Sequence, residues 1–146
     1  IKKINTTIKK RDFWMPFTPS ILEEKINKYV VNPKKIDNNF MTVCFDTTKL
    51  ARKHFVAAIH PYDYTIRPQV VNKKTCKKYY TLIKNFEDLT GIGGVLNTSM
   101  NLHDKPIISN PQDIINEIIS DKFVDINHIY IHDTLFIRKK ILIKKL

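Results

Sequence analysis

The sequence predicts an α+β fold in which a mixed β-sheet is flanked by helices. Three observations carry that expectation. Short runs of β-branched and aromatic residues recur between polar or proline-marked breaks, as at residues 40–45, 55–59 and 66–71, and such runs are the signature of strands. Other stretches place apolar residues at helical spacing, most clearly Tyr79, Leu82, Ile83, Phe86 and Leu89. Strands and helices interleave without strict βαβ regularity, so the sheet should be mixed, with helices packed on it.

Taken in order, the chain opens in polar, helical sequence. Ser20 and Glu23 then stand at the spacing of a capping box, and Ile21, Leu22, Ile26 and Tyr29 fall on one helical face, which predicts a helix over residues 20–29. Asn32-Pro33 ends it, because the residue before proline is driven out of helical geometry. The apolar runs at 40–45, 55–59 and 66–71 are expected to be strands and neighbours in a sheet. A helix follows from about Thr75, closed by Gly91 at the place of a left-handed cap. Residues 93–96 read as a strand whose two glycines would let another backbone or a ligand come close. That strand delivers Asn97-Thr98-Ser99-Met100-Asn101 to its end. Asn110-Pro111 and Asp113 open a second helix, with Ile114, Ile115, Ile118 and Ile119 as its stripe, running to about Ser120. Strands at 128–132 and 135–138 close the chain around Asp133-Thr134.

At 146 residues and 42% hydrophobic, the chain can bury a core of its own, and it carries no internal repeat or low-complexity linker, so one domain over residues 1–146 is expected. The formal charge of +11 would attract polyanions, nucleic acid among them. The crowding of Lys with Ile and Asn, however, reads first as a coding bias that produces a solvated lysine surface. Cys44 and Cys76 are far apart and form no metal knuckle, which fits free thiols in a reducing cytoplasm. No apolar run is long enough to span a bilayer and residues 1–10 lack a signal-peptide core, so a cytoplasmic protein without a membrane partner is expected. The start on Ile1 suggests a piece of something longer, and residues 141–146 form a lysine-rich tail.

Several segments could carry chemistry. Residues 97–101 offer small amide and hydroxyl side chains that can bond phosphate or carbonyl oxygens; the same residues would serve in an ordinary strand-to-loop junction. Lys9 and Arg11, two apart, would point the same way in an extended segment and suit a phosphate chain, or form a solvated basic edge. Arg67 lies in an apolar strand, where it must point outward or meet an anion. His128 and His132 would share a strand face as a weak metal pair or as satisfied histidines, but the histidines show no ligand spacing, so no metal site is assigned. The phosphate-loop, GxSxG and GxGxxG patterns are missing.

Residues 9–22 (KKRDFWMPFTPSIL), 67–71 (RPQVV), 79–101 (YYTLIKNFEDLTGIGGVLNTSMN) and 105–113 (KPIISNPQD) together resemble the carbamoyltransferase C-terminal region of nodulation and antibiotic O-carbamoyltransferases. That family shows a lysine-x-arginine-acidic run leading into a proline-phenylalanine-alanine-proline-serine segment, and an arginine-x-glutamine strand. A leucine-asparagine-threonine-serine-phenylalanine-asparagine loop and a proline-x-aspartate helix start follow. Order and spacing agree over nearly the whole chain. Two positions depart: Met15 stands where the family often has arginine, and Met100 replaces the loop phenylalanine. The first removes a cation, and the second conserves volume.

The resemblance implies a twisted, YrdC-like mixed sheet that binds ATP, Mg²⁺ and carbamoyl phosphate and forms carbamoyl-adenylate. Transfer to a hydroxyl acceptor would fall to an N-terminal, metal-containing lobe of the same enzyme, the partner this portion lacks along with a glycine-rich, arginine-containing segment before it. By position, Lys9 and Arg11 would neutralise phosphate oxygens, Arg67 would hold the carbamoyl or phosphate group, and Asn97, Ser99 and Asn101 would donate to the adenylate. Thr42 and His60 join them from their closeness to matched strands. The alternatives are a basic YrdC-like module that binds or modifies tRNA, recognisable by steep salt dependence, and a structural remnant supporting the transfer lobe.

Overall fold

The computed structural model describes residues 1–119, 126–131 and 133–138. The chain condenses into two compact units, the first of Trp14–Ser99 with Ile1, the second of Lys2–Phe13 and the chain from Met100 onward.

In chain order the first unit holds β1 (Thr18–Leu22), a 3₁₀ turn at Glu23–Lys25, α1 (Ile26–Tyr29), β2 (Val30–Val31), β3 (Asp46–Thr47), α2 (Lys49–His54), a 3₁₀ turn at Val56–Ala58, β4 (Gln69–Val71), α3 (Lys77–Thr90) and β5 (Gly94–Asn97). β1 is the middle strand of a three-stranded sheet, parallel to β4 and antiparallel to β5. The sheet is therefore mixed and flanked by helices, as expected, while β2 and β3 form a small antiparallel pair of their own.

The helix expected over residues 20–29 is corrected: only Ile26–Tyr29 is α-helical, and Ser20 lies inside β1. The physical reason is burial on both sides. Successive strand residues face opposite ways, and here Ile21 packs with Tyr29, Val30, Phe45, Ala51, Phe55, Ala58 and Ile66, while Leu22 packs with Val71 and Ile83. A strand covered on both faces reads as a continuous apolar run, which periodicity alone does not distinguish from a helix. Each such side chain contributes about 1.5–3 kcal/mol on burial.

Two other expected strands are also corrected. Residues 55–59 make a 3₁₀ turn that buries Phe55 and Ala58, with Phe55 edge-on to Tyr29 at 4.8 Å. Residues 40–44 are a loop, and of the expected run 40–45 only Phe45 bridges to Ile66. Buried Asn38 replaces a strand partner for this loop: its Nδ2 donates to the carbonyls of Pro68 (2.6 Å) and Val43 (3.1 Å), and its Oδ1 accepts from the Thr42 amide (3.0 Å).

α3 and β5 follow the sequence closely. Gly91 has φ 75° and donates to the Glu87 carbonyl at 2.7 Å, the left-handed closure expected of it. At Gly94 a Cβ would come within 2.8 Å of the Phe55 ring and 2.9 Å of the Ser20 carbonyl, so the room left by this glycine is filled by the chain itself.

The second unit starts with a π-helical turn, Ile4–Lys9, stopped by Lys10 at φ 50°. α4 (Pro111–Ile119) is capped by Asn110, whose Oδ1 accepts from the Asp113 amide at 3.0 Å while its Nδ2 donates to the Asp113 carboxylate at 2.8 Å. β6 (His128–Ile131) and β7 (Thr134–Ile137) pair antiparallel, with His128 opposite Ile137. Ser120, the expected end of the second helix, His132 and the lysine-rich tail lie outside the described residues.

Candidate functional site

In the second unit the helical turn and the loop after Met100 meet around two cations. Lys9 is only 4% exposed, and its Nζ donates to Asn101 Oδ1 at 2.7 Å. The Lys9 carbonyl accepts from the His103 amide at 2.9 Å, and Asn101 Nδ2 donates to the Lys105 carbonyl at 2.7 Å, so both backbone and side chain fix the pair. Arg11 is half-buried. Its Nε donates to Asn5 Oδ1 at 2.8 Å and its amide to the Asn5 carbonyl at 3.0 Å, while fully buried Asn5 donates from Nδ2 to the Phe13 carbonyl at 3.2 Å.

Burial, and then the nearby Arg11 charge, hold the Lys9 pKa below the ordinary lysine value, and burial lowers that of Arg11 as well. An anion brought to the pair would act in the opposite direction, since an opposite charge favours the protonated cation. The expected extended geometry is corrected: Lys9 ends a helical turn and Lys10 is left-handed, and the two cations are neighbours through the bend. Beside Asn101 opens a cleft of about 430 Å³, lined by Leu102, Lys105, Pro106, Ile107, Ile108 and, from α4, Asp113, Asn116 and Glu117. That volume falls in the range of small-molecule sites.

The first unit holds a neutral cluster on its sheet. Ser20, Gln69 and Asn97 come from β1, β4 and β5, and strand register puts them on the face that also carries Leu22, Val71 and Val95. Ser20 is fully buried and donates from Oγ to Gln69 Oε1 at 2.8 Å; Asn97 Nδ2 donates to Ser20 Oγ and to Gln69 Oε1, each at 3.2 Å.

The other expected site residues are placed as follows. Arg67 is exposed, between buried Ile66 and Pro68, so of the two outcomes open to it the outward one holds. Thr42 is exposed in the Asn38 loop, and half-buried His60 opens a turn in which its Nδ1 lies 3.1 Å from Asp63 Oδ1. Ser99 is exposed just after β5, and Met15 and Met100 are half-buried. Among the described residues no three His, Cys, Asp or Glu side chains converge as metal ligands, and no helix is long and apolar enough to cross a membrane. Both cysteines are exposed free thiols.

Three residues of these clusters carry no functional role in the sequence, where Ser20 reads only as a helix cap. Ser20 and Gln69 stand inside the matched proline-serine and arginine-x-glutamine segments, which could have marked them. Asn5 sits in an unremarkable polar stretch, and its part becomes visible only when the turn brings it onto Arg11.

Fold and clusters together define an α+β module with a fixed cationic pair in one unit and a neutral amide cluster in the other. The chain belongs to the carbamoyltransferase C-terminus family, whose model matches residues 1–138. It is 31% identical over 122 residues to nodulation protein NolO of Bradyrhizobium diazoefficiens, covering 81% of this chain and 22% of that protein. It is 29% identical over 119 residues to nodulation protein NolNO of Sinorhizobium fredii, covering 81% and 17%. An uncharacterised protein of Methanocaldococcus jannaschii is 39% identical over 117 residues, covering 80% and 19%. The chain thus spans about a fifth of the length of these curated relatives.

Proposed function

We propose that this chain is the adenylate-forming portion of an O-carbamoyltransferase, using ATP and carbamoyl phosphate and passing the carbamoyl group to a transfer lobe of the same enzyme, which delivers it to a hydroxyl. The observation that carries the reading is the Lys9–Arg11 pair, Lys9 buried and Arg11 half-buried, held by Asn101 and Asn5 within the family-matched chain.

Carbamoyl phosphate, ATP and one water balance to carbamoyl-adenylate, pyrophosphate and phosphate. Water releases phosphate from carbamoyl phosphate and leaves carbamate; as a carbamate oxygen bonds to the α-phosphorus of ATP, the bond from that phosphorus to the bridging oxygen breaks and negative charge gathers on the departing pyrophosphate. Fixed cations aimed at that charge lower the barrier without reorganising. Arg11 supplies a planar fork and Lys9 a compact charge. Because Asn101 and Asn5 hold them beforehand, little side-chain entropy remains to be lost on binding. Asn97, Ser99, Arg67, Thr42 and His60 are the further residues this reading assigns to the substrates. Mg²⁺ would be carried on the nucleotide's phosphate oxygens, where it shares the neutralisation of charge.

Following pyrophosphate release on mixing the chain with ATP, Mg²⁺ and carbamoyl phosphate tests the proposal. Release that requires all three, and falls in Lys9→Ala and Arg11→Ala, supports it. A folded chain that binds ATP and releases no pyrophosphate rejects it.

A further inference from the structure

Arg52, Tyr62 and Tyr64, in the first unit, have no part in the adenylate chemistry. Tyr64 stands at φ 58°, a left-handed conformation that bulky side chains rarely adopt. Its amide donates to the His60 carbonyl at 3.1 Å and its carbonyl accepts from Thr47 Oγ at 2.6 Å, so the surrounding chain fixes it there. Strain of this kind clusters at ligand clamps. The same Thr47 hydroxyl accepts from Arg52 Nε at 3.0 Å, and the Arg52 guanidinium lies over the Tyr64 ring, 4.7 Å from its centroid. Arg52 is exposed, and its two Nη nitrogens meet no acceptor among the described residues. The carboxylate of the turn, Asp63, is taken up by the Thr65 amide at 2.9 Å and by His60 Nδ1 at 3.1 Å. Tyr62, in the same turn, is 87% exposed.

We propose that Arg52, Tyr62 and Tyr64 form a binding surface for single-stranded nucleic acid. Arg52 presents its Nη donors to a phosphodiester with the guanidinium already oriented by Thr47 and by the Tyr64 ring, and such a fork matches two phosphate oxygens at once. Tyr62 offers an uncovered ring to an unpaired base, a contact that every base can make. A duplex keeps its bases stacked inside and cannot use that ring, so the surface selects the single strand. The formal charge of +11 adds attraction without selecting any sequence. A run of carboxylates would meet the Arg52 fork as well, but it brings no flat partner for Tyr62, which is why the surface fits nucleic acid better than an acidic peptide.

Fluorescence anisotropy of a short labelled oligothymidylate, titrated with the chain at about 0.15 M salt, tests the surface. Binding should saturate, and a labelled duplex of the same length should bind about tenfold more weakly. Arg52→Lys and Tyr62→Leu both leave the net charge at +11, so a diffuse basic field predicts no change in either. The surface predicts a loss of about tenfold in each, within the range that one stacked base or one bond to a charged group supplies. Thermal unfolding checks that the variants are folded, and Tyr62→Leu, which alters an exposed ring, decides alone if Arg52→Lys unfolds. Polyglutamate at matched charge should displace the strand less well than unlabelled oligothymidylate does. No saturable binding, equal binding of strand and duplex, a folded Tyr62→Leu chain that binds like the unchanged one, or displacement by polyglutamate as effective as by oligothymidylate overturns the proposal. Neither variant touches Lys9 or Arg11, so the result stands apart from that of ATP titrations.

Discussion

The Lys9 ammonium donates to the carboxamide oxygen of Asn101, 2.7 Å away and 92 positions later in the chain. This bond ties the N-terminal helical turn to the loop after Met100, and the Lys9 carbonyl reinforces it through the His103 amide. Asn101, a neutral amide, supplies the buried Lys9 ammonium with an acceptor and brings no opposing charge of its own.

Replacing Asn101 by Leu removes the acceptor at nearly constant volume. Lys9 would lose a bond to its charged group, so denaturant unfolding is expected to show a loss of about 1.5–3 kcal/mol. Asn101→Asp should instead hold Lys9 more tightly while weakening ATP, because it adds, 2.7 Å from the ammonium, a negative charge that repels a phosphate. Calorimetry that finds ATP affinity unchanged in Asn101→Asp would count against a phosphate role for Lys9.

Glu87 provides a pH test in the first unit. Its carboxylate lies 2.6 Å from both Lys25 Nζ and Lys84 Nζ, and these bonds, Lys25 first, hold its pKa below the ordinary carboxylate value. A depressed folded value means the contribution is present above the unfolded pKa of about 4.3 and is lost as pH falls through the folded one. Glu87→Gln is therefore expected to cost about 1 kcal/mol at neutral pH, since Lys84 is solvent-facing, and close to nothing well below pH 4. Urea unfolding at the two pH values measures the difference.

Gly94→Ala would bring a methyl to 2.8 Å from the Phe55 ring and 2.9 Å from the Ser20 carbonyl. Overpacking of this kind costs about 1–3 kcal/mol. Thermal unfolding should show the loss, and Phe55→Leu in the same chain should recover part of it. Full stability in Gly94→Ala alone would mean that β5 can shift away from β1.

Local signals were the ones legible in the sequence. α3 was recognisable from its apolar spacing and Gly91, and α4 from Asn110, Pro111 and Asp113, because each signal lies within or next to the element it specifies. The β6–β7 hairpin was legible for the same reason. β1 was not, since what makes residues 18–22 a strand is pairing with Gln69–Val71 and Gly94–Asn97, far off in sequence. The loop of residues 40–44 was lost to Asn38, a single buried amide doing what a neighbouring strand would have done. Motif order marked Lys9, Arg11 and Asn101 in the second unit and Asn97 in the first. The supporting Asn5, Ser20 and Gln69 became evident only from hydrogen bonds that the fold creates.

ATP titrated calorimetrically into the unchanged chain, Lys9→Ala and Arg11→Ala, with Lys53→Ala and Lys73→Ala as exposed controls, tests the central claim most directly. At about 0.15 M salt, exposed charges are largely screened beyond roughly 8 Å. Each change in the pair should weaken ATP by about 10- to 150-fold, the worth of a bond to a charged group, and each control by less than about twofold. Equal weakening in all four variants would show a diffuse basic surface instead of a site, and the account built on Lys9 and Arg11 would be wrong.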